Sequence, residues 1–302
     1  MKIELFARKH LLWAVSLGAA LILAGCAAKT TPPVTERAAA PAVAAAGTVL
    51  EYKMPASRTL TYQSAAEESQ VMEVQGQPMS TSTNGTSTFT FKAKGLKDKN
   101  YLLGVTIDDI AVTLTSSAQG DMSPNMASVK GKSFDMVLSP LGSEVDVSGA
   151  EAITYDLATE TRNLSSGFKT FFPDLPGKPV KVGDTWPSSS ATEEKTSSMK
   201  IHIDLQNVNT LEGFETVDGK NCARISTLVT GTISGTGNQG GMDMTFAGTT
   251  KGKDVWYFAV KEGIFIKTTA ESTADMSVDV SAAGITIPIT QTTKSEVKLV
   301  GK

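Results

Sequence analysis

The most reactive prospect in the chain is Cys26, in the stretch LILAGCAAKT spanning residues 21–30. A thiolate is a strong nucleophile, so this position is suited to S-alkylation. Ala24 and Gly25, just before it, are small. Other chemistry is scarce. Cys222, in NCARISTLV, reads as a small buried strand residue. With Cys26 modified, it has no thiol left to pair with. His202 is the one histidine after residue 26, on the polar phase of MKIHIDLQNV, so neither a histidine triad nor a multi-histidine metal site is available. The adjacent carboxylates Asp108-Asp109 would point to opposite faces of a strand. Glu67-Glu68 and Glu193-Glu194 read as surface pairs. No GxSxG elbow occurs. No catalytic motif and no cofactor are expected from these residues.

The elements around Cys26 give it a context. Residues 1–10 carry Lys2, Arg8 and Lys9 against Glu4, and residues 11–24 form an unbroken apolar run. As a helix that run spans about 21 Å, short of a bilayer core. A cationic start, a short apolar middle and a small-residue end describe a secretory signal over residues 1–25. Leu23-Ala24-Gly25-Cys26 resembles a bacterial lipobox. The resemblance implies a thioether-linked diacylglycerol on Cys26, cleavage before it, and acylation (palmitate-type) of the freed amine. Two or more acyl chains anchor a protein almost permanently. Ala27, rather than Asp, follows the cysteine, which by the same resemblance implies an outer-membrane destination with the domain in the periplasm.

Residues 26–48 hold the cysteine and a low-complexity tether rich in Ala, Thr and Pro. Loss of residues 1–25 takes the formal charge from −3 to −5. A mildly acidic chain without a basic cluster is a poor nucleic-acid binder. Residues 49–302 then form one β-rich envelope domain, with a division into halves 49–150 and 180–302 left open.

Inside that domain the period is two. STFTFKAKG alternates cleanly. In YLLGVTIDDIAVTLTSS the apolar phase slips at Asp108-Asp109, which predicts a β-bulge. Asp218-Gly219 predicts a type I′ hairpin, and Gly263 a loop residue in the left-handed region. The seven glycines of residues 231–254 match no phosphate loop and predict a strongly curved hairpin. Pro288 predicts an edge or bulged strand. Ser148 to Phe172 has apolar residues at helical spacing behind a capping-box pattern, Ser148 with Glu151, and predicts a helix.

FPDLPGKPVKVGDTW (172–186) and SPLGSEVDVSG (139–149) resemble segments of uncharacterised β-rich bacterial lipoproteins, a kinship that carries no activity. The expected architecture is mainly β: long antiparallel strands in a curved sheet or an open barrel or sandwich, with one helical segment near residues 150–172. A transmembrane barrel would need apolar outward faces and aromatic girdles. Here the polar faces carry Ser, Thr, Lys and Asp, and Tyr and Trp number eight in all. The expected function is a non-catalytic binding or scaffolding module on the membrane. A β cup, similar in outline to periplasmic lipoprotein carriers, would hold an apolar ligand such as a lipid. Phe89, Phe91, Ile201, Ile203, Trp256 and Phe258 either line that cup or form closed core. The alternative is a subunit that meets an envelope protein partner.

Overall fold

The computed structural model describes residues 47–301 apart from positions 75, 158, 159, 197 and 240. The signal, Gly25, Cys26 and the tether through residue 46 lie outside the described residues. No helix among the described residues is long and apolar enough to cross a membrane.

The strands are β1 (Thr59–Val74), β2 (Gln77–Lys97), β3 (Asn100–Ser116), β4 (Gly120–Asp121), β5 (Ser133–Leu138), β6 (Glu144–Asp146), β7 (Thr154–Leu157), β8 (Glu160–Asn163), β9 (Thr185–Lys195), β10 (Met199–Val217), β11 (Lys220–Gln239), β12 (Met242–Ala259), β13 (Ile264–Val280) and β14 (Ile285–Gly301). All but β7 and β8 belong to one antiparallel sheet, in the order β6-β5-β3-β2-β1-β14-β13-β12-β11-β10-β9, with β4 paired to β3. Sequence neighbours pair as hairpins, and the first and last long strands, β1 and β14, meet in the middle. The segments 49–150 and 180–302 therefore share one sheet. The fold begins slightly before residue 49, because Thr48 exchanges two backbone hydrogen bonds with Val180 at 2.7 and 2.9 Å.

Alternation decides the faces. In β1 every second residue from Leu60 to Met72 is buried and those between them are mostly exposed. Apolar inner residues form two clusters. One, at one end of the strands, is aromatic, with Tyr62, Phe89, Phe91 and Phe258 inside it. The other, at the opposite end, is built from Met, Ile and Val of β10 to β14, with Phe246.

Inner-face glycines let neighbouring strands approach closely. A Cβ on Gly235 would lie 2.5 Å from the Lys200 carbonyl oxygen, and one on Gly248 would lie 2.6 Å from that of Asp275. Neighbouring strands approach here closely enough that only hydrogen fits. The glycine-rich stretch forms the β11–β12 hairpin, paired without a register shift.

Other local readings can be placed as well. At Asp108 the β2–β3 register shifts, Thr88 facing Asp109 and Phe89 facing Ile107. Asp218 and Gly219 have φ of 50° and 72°, and Gly263 has φ of 65°. Two readings need correction. Pro288 pairs in register with Ser277 inside the sheet. β14 is central, yet the β1–β14 ladder ends at Met72–Ile289, so Pro288 has only its β13 neighbour, and past Lys298 the strand has only β1. The segment Ser148 to Phe172 is not one helix. It holds a 3₁₀ turn (Ser148–Ala152), the hairpin β7–β8, and a single helical turn, α1 (Ser165–Phe168). Ser148 does not cap this segment: its amide and hydroxyl both donate to Asp146 Oδ1. The apolar stripe still finds the core, with Phe168 and Phe171 packed on Phe89 and Phe91.

Candidate functional site

Between the two apolar clusters the inner face changes character. In β14 the inner residues run Ile287, Ile289, then Gln291, Thr293, Ser295, then Val297. In β1 they run Leu60, Tyr62, then Ser64, Ala66, Glu68, Gln70, then Met72. In β12, Phe246 gives way to Gly248, Thr250, Gly252 and Asp254 before Trp256 and Phe258 restore the apolar run. The register aligns these stretches. Asn207, Val229, Gly252, Ser272, Thr293 and Glu68 lie in one row across six strands. Small and polar side chains in a row cannot fill the space that Phe and Ile fill above and below. A cavity of about 250 Å³ results, between the inner faces of β9–β14 and residues 166–174.

The wall is rich in hydrogen-bonding groups, some of them saturated. Trp256 Nε1 donates to Thr227 Oγ1 at 2.9 Å, and that hydroxyl donates to Asn209 Oδ1 at 2.7 Å. The Asn209 amide donates to the Trp186 carbonyl and to Ser188 Oγ. Others lack partners within the protein. Gln291 is 3 % exposed; its Nε2 donates to Glu68 Oε2 at 2.9 Å, while its Oε1 accepts nothing. Opposite it in register, Gln70 is fully buried with neither amide atom bonded. Asn207 Oδ1 is also unpartnered. Buried polar atoms are nearly always satisfied, so a group of exceptions at one level of a fold needs a cause.

Charge follows the same pattern. Asp254 lines the cavity, and burial alone pushes its carboxyl up to about 7. Glu68 is pushed up to about 8 by burial, with Arg162 opposing. Glu144, which accepts from the Phe172 amide at 2.7 Å, also sits at about 8, chiefly through burial. Glu194 and Asp174 are raised by burial too, eased in Glu194 by Ser166, Arg162 and Lys169, and in Asp174 by Ser143. Among the described residues no cluster of three His, Cys, Asp or Glu has a metal-binding arrangement.

The six candidate lining residues separate. Ile203 and Trp256 stand on the cavity wall. Phe89, Phe91 and Phe258 are closed core, at most 1 % exposed, and Ile201 packs in the second apolar cluster. The surface reading of the glutamate pairs holds for one member of each. Glu67 and Glu193 are exposed, but Glu68 is 4 % exposed and Glu194 faces the cavity, because neighbours on a strand take opposite faces. Asp108 and Asp109 are structural: Asp108 accepts from Thr90 Oγ1, and Asp109 pairs with Lys130 and bonds the Ile110 amide. His202 sits at the surface beside Asp204, 3.1 Å away. Cys222 is buried, and burial pushes its thiol up to about 11, an unreactive value. SxxK spacing occurs at Ser295–Lys298, with Ser295 buried inside and Lys298 exposed outside, and at Ser166–Lys169, both on the cavity wall. The cavity-lining polar residues had a signal in the sequence: an inner phase that turns polar midway along strand after strand.

No family model matches the chain, and no curated protein matches it. Among solved structures it is similar to OccK2 (OpdF) of Pseudomonas aeruginosa, 8 % identical over 80 % of this chain and 98 % of that one, with a TM-score of 0.26. OccK11 (OpdR) of the same organism covers 84 % and 99 % at 8 % identity with a TM-score of 0.21. OmpT, an outer membrane protein of Vibrio cholerae, covers 80 % and 97 % at 8 % identity with a TM-score of 0.17.

Proposed function

We propose that this chain is a lipid-anchored protein of the bacterial envelope whose curved sheet is a non-catalytic binding module. The observation that carries the reading is the polar-walled cavity of about 250 Å³ midway along the sheet. A fold that only needed stability would continue the Ile and Phe rows through that level, because buried unpartnered amides and carboxylates cost free energy. Keeping them there is consistent with a ligand that completes their hydrogen bonds. The connector with α1 covers one side of the cavity through Phe171 and Phe172. The lining that the sequence suggested for an apolar ligand is mostly core, which shifts the reading toward a ligand with polar groups. The anchor rests on Leu23 to Cys26, and the outer membrane and periplasm follow from the same resemblance. The sheet's outer face carries charge pairs such as Lys267 with Glu296 at 3.3 Å and Lys200 with Glu193 at 2.8 Å, which suits water better than lipid.

Native mass spectrometry of the full-length protein, released gently from detergent, tests both parts. The expected spectrum shows the mass of two or three acyl chains, lost in Cys26→Ser, and a small non-covalent adduct that leaves on denaturation. A protein with no adduct, and none after incubation with envelope extract, would sink the binding reading. A second reading has one observation in its favour. The edge strand β9 has a single neighbour, β10, among the described residues, so its outer side can accept a strand from an envelope protein. Photo-crosslinking from Ala191 in cells would capture such a partner.

A further inference from the structure

The unsatisfied groups on the cavity wall share a chemical bias, which narrows the ligand class and rests on the binding reading above. Most are acceptors. Asp254 has no hydrogen bond or ion pair among the described residues, because its neighbour Thr227 is already committed to Trp256 and Asn209. In register Asp254 faces Thr227, and Asn207 faces Val229, two residues along the same strand. The unpartnered Asn207 Oδ1 lies on the same inner face, two strands and two residues from Asp254. Further along the wall is Gln291 Oε1, in a side chain 97 % buried. The charged groups on the wall are Asp254 from β12, Glu194 from β9, Glu144 from β6, and Asp174 and Lys169 from the connector. Carboxylates outnumber cations. The indole of Trp256 and the rings of Phe171 and Phe172 supply the remaining apolar wall. A ring face beside acceptors attracts positive charge.

We propose that the cavity binds a small organic cation, an amine or guanidinium whose N–H groups donate to the unpartnered carboxylate of Asp254 beside the Trp256 indole. A fatty acid would meet carboxylates with a carboxylate. The volume is below that of a drug-sized ligand, so the occupant is a small molecule or one basic side chain of a peptide. Binding has a proton signature. The carboxyl of Asp254, at about 7 when the cavity holds no cation, ionises as the cation arrives and releases its proton.

Isothermal titration calorimetry on the full-length protein in detergent micelles tests this, with putrescine, the tripeptide Gly-Lys-Gly and neutral butanediol as probes. Putrescine or the peptide is expected to bind at least about tenfold more tightly than butanediol, and which of the two binds tells the free amine from the side chain. Affinity should rise about tenfold from pH 6 to pH 8, as Asp254 becomes ionised. The heat should vary with the ionisation enthalpy of the buffer. Asp254→Asn should lose the pH dependence and at least about tenfold in affinity, while its melting temperature stays level or rises. Equal binding of butanediol and putrescine, or an unchanged profile in Asp254→Asn, would overturn the cation assignment. A neutral or lipidic adduct in native mass spectrometry, with no amine bound, would overturn it while leaving a binding module standing. If nothing binds and no adduct is found, both readings fail together.

Discussion

The aromatic end of the sheet and the polar level above it face the same interior from the same strands, yet one is solid and the other hollow. At the aromatic end Tyr62 stacks on Phe265 with centroids 5.4 Å apart, and Phe91 meets Phe171 at 4.8 Å. Tyr62 satisfies its own hydroxyl by donating to the Phe265 carbonyl at 2.8 Å. One polar level later, Glu68 and Gln291 hold each other while Gln70 holds nothing. Backbone pairing continues through both levels, so the ladder does not make the difference. Side-chain volume and polarity do. Large rings close the space between the sheet and the connector, whereas Ser, Thr, Gly and Ala leave it open.

Truncation separates the two levels most sharply. Phe91→Ala is expected to cost about 3–5 kcal/mol in urea denaturation, because a ring 1 % exposed leaves a void among rigid neighbours. Thr293→Ala, on the cavity wall, should cost about 1 kcal/mol or less, since no partner of its hydroxyl is lost. Equal losses would mean that the polar level is packed core.

Titration comes next. Glu68, Glu144 and Asp254 have carboxyl values raised in the folded chain to about 8, 8 and 7. A raised carboxyl favours the folded state while both states are protonated, and that stability is lost as pH rises from the unfolded value through the folded one. The ligand-free protein should therefore melt several degrees higher at pH 5 than at pH 9, and Glu68→Gln should flatten part of that slope. A melting temperature that climbs with pH would contradict the burial of these groups.

Enlargement is the subtler probe. Ala223→Val at the aromatic end should cost about 1–3 kcal/mol by overpacking, while Ser272→Val beside the cavity should stay within about 1 kcal/mol. The smallest effect is expected on the outer face, where a double-mutant cycle on Lys267 and Glu296 should return about 0.2–1 kcal/mol.

Much of this was readable beforehand because a strand has a period of two. Alternation placed Phe89, Ile107 and Ile203 inside, and the break at Asp108-Asp109 marked a bulge, since a one-residue slip is visible in any strand with an apolar face. The segment from Ser148 to Phe172 misled for a related reason. Its apolar spacing fits a helix, but the hairpin β7–β8 and two short turns bring the same residues to the same core. Periodicity reports which residues must be buried, not which backbone buries them.

The amino-acid order by itself determined a mainly β domain, the turns at Asp218-Gly219 and Gly263, and the buried phase of each long strand. Tertiary structure alone decided that β1 would meet β14 in mid-sheet. It also decided that the polar midsections of the strands would share one level, and that Glu68 and Asp254 would be enclosed there. Those outcomes depend on register between strands up to 223 residues apart, as in the Gln291–Glu68 bond. Local propensity has no reach over such a separation. Only closing the sheet and seating the connector takes water away from those carboxylates and gives them their unusual proton affinity.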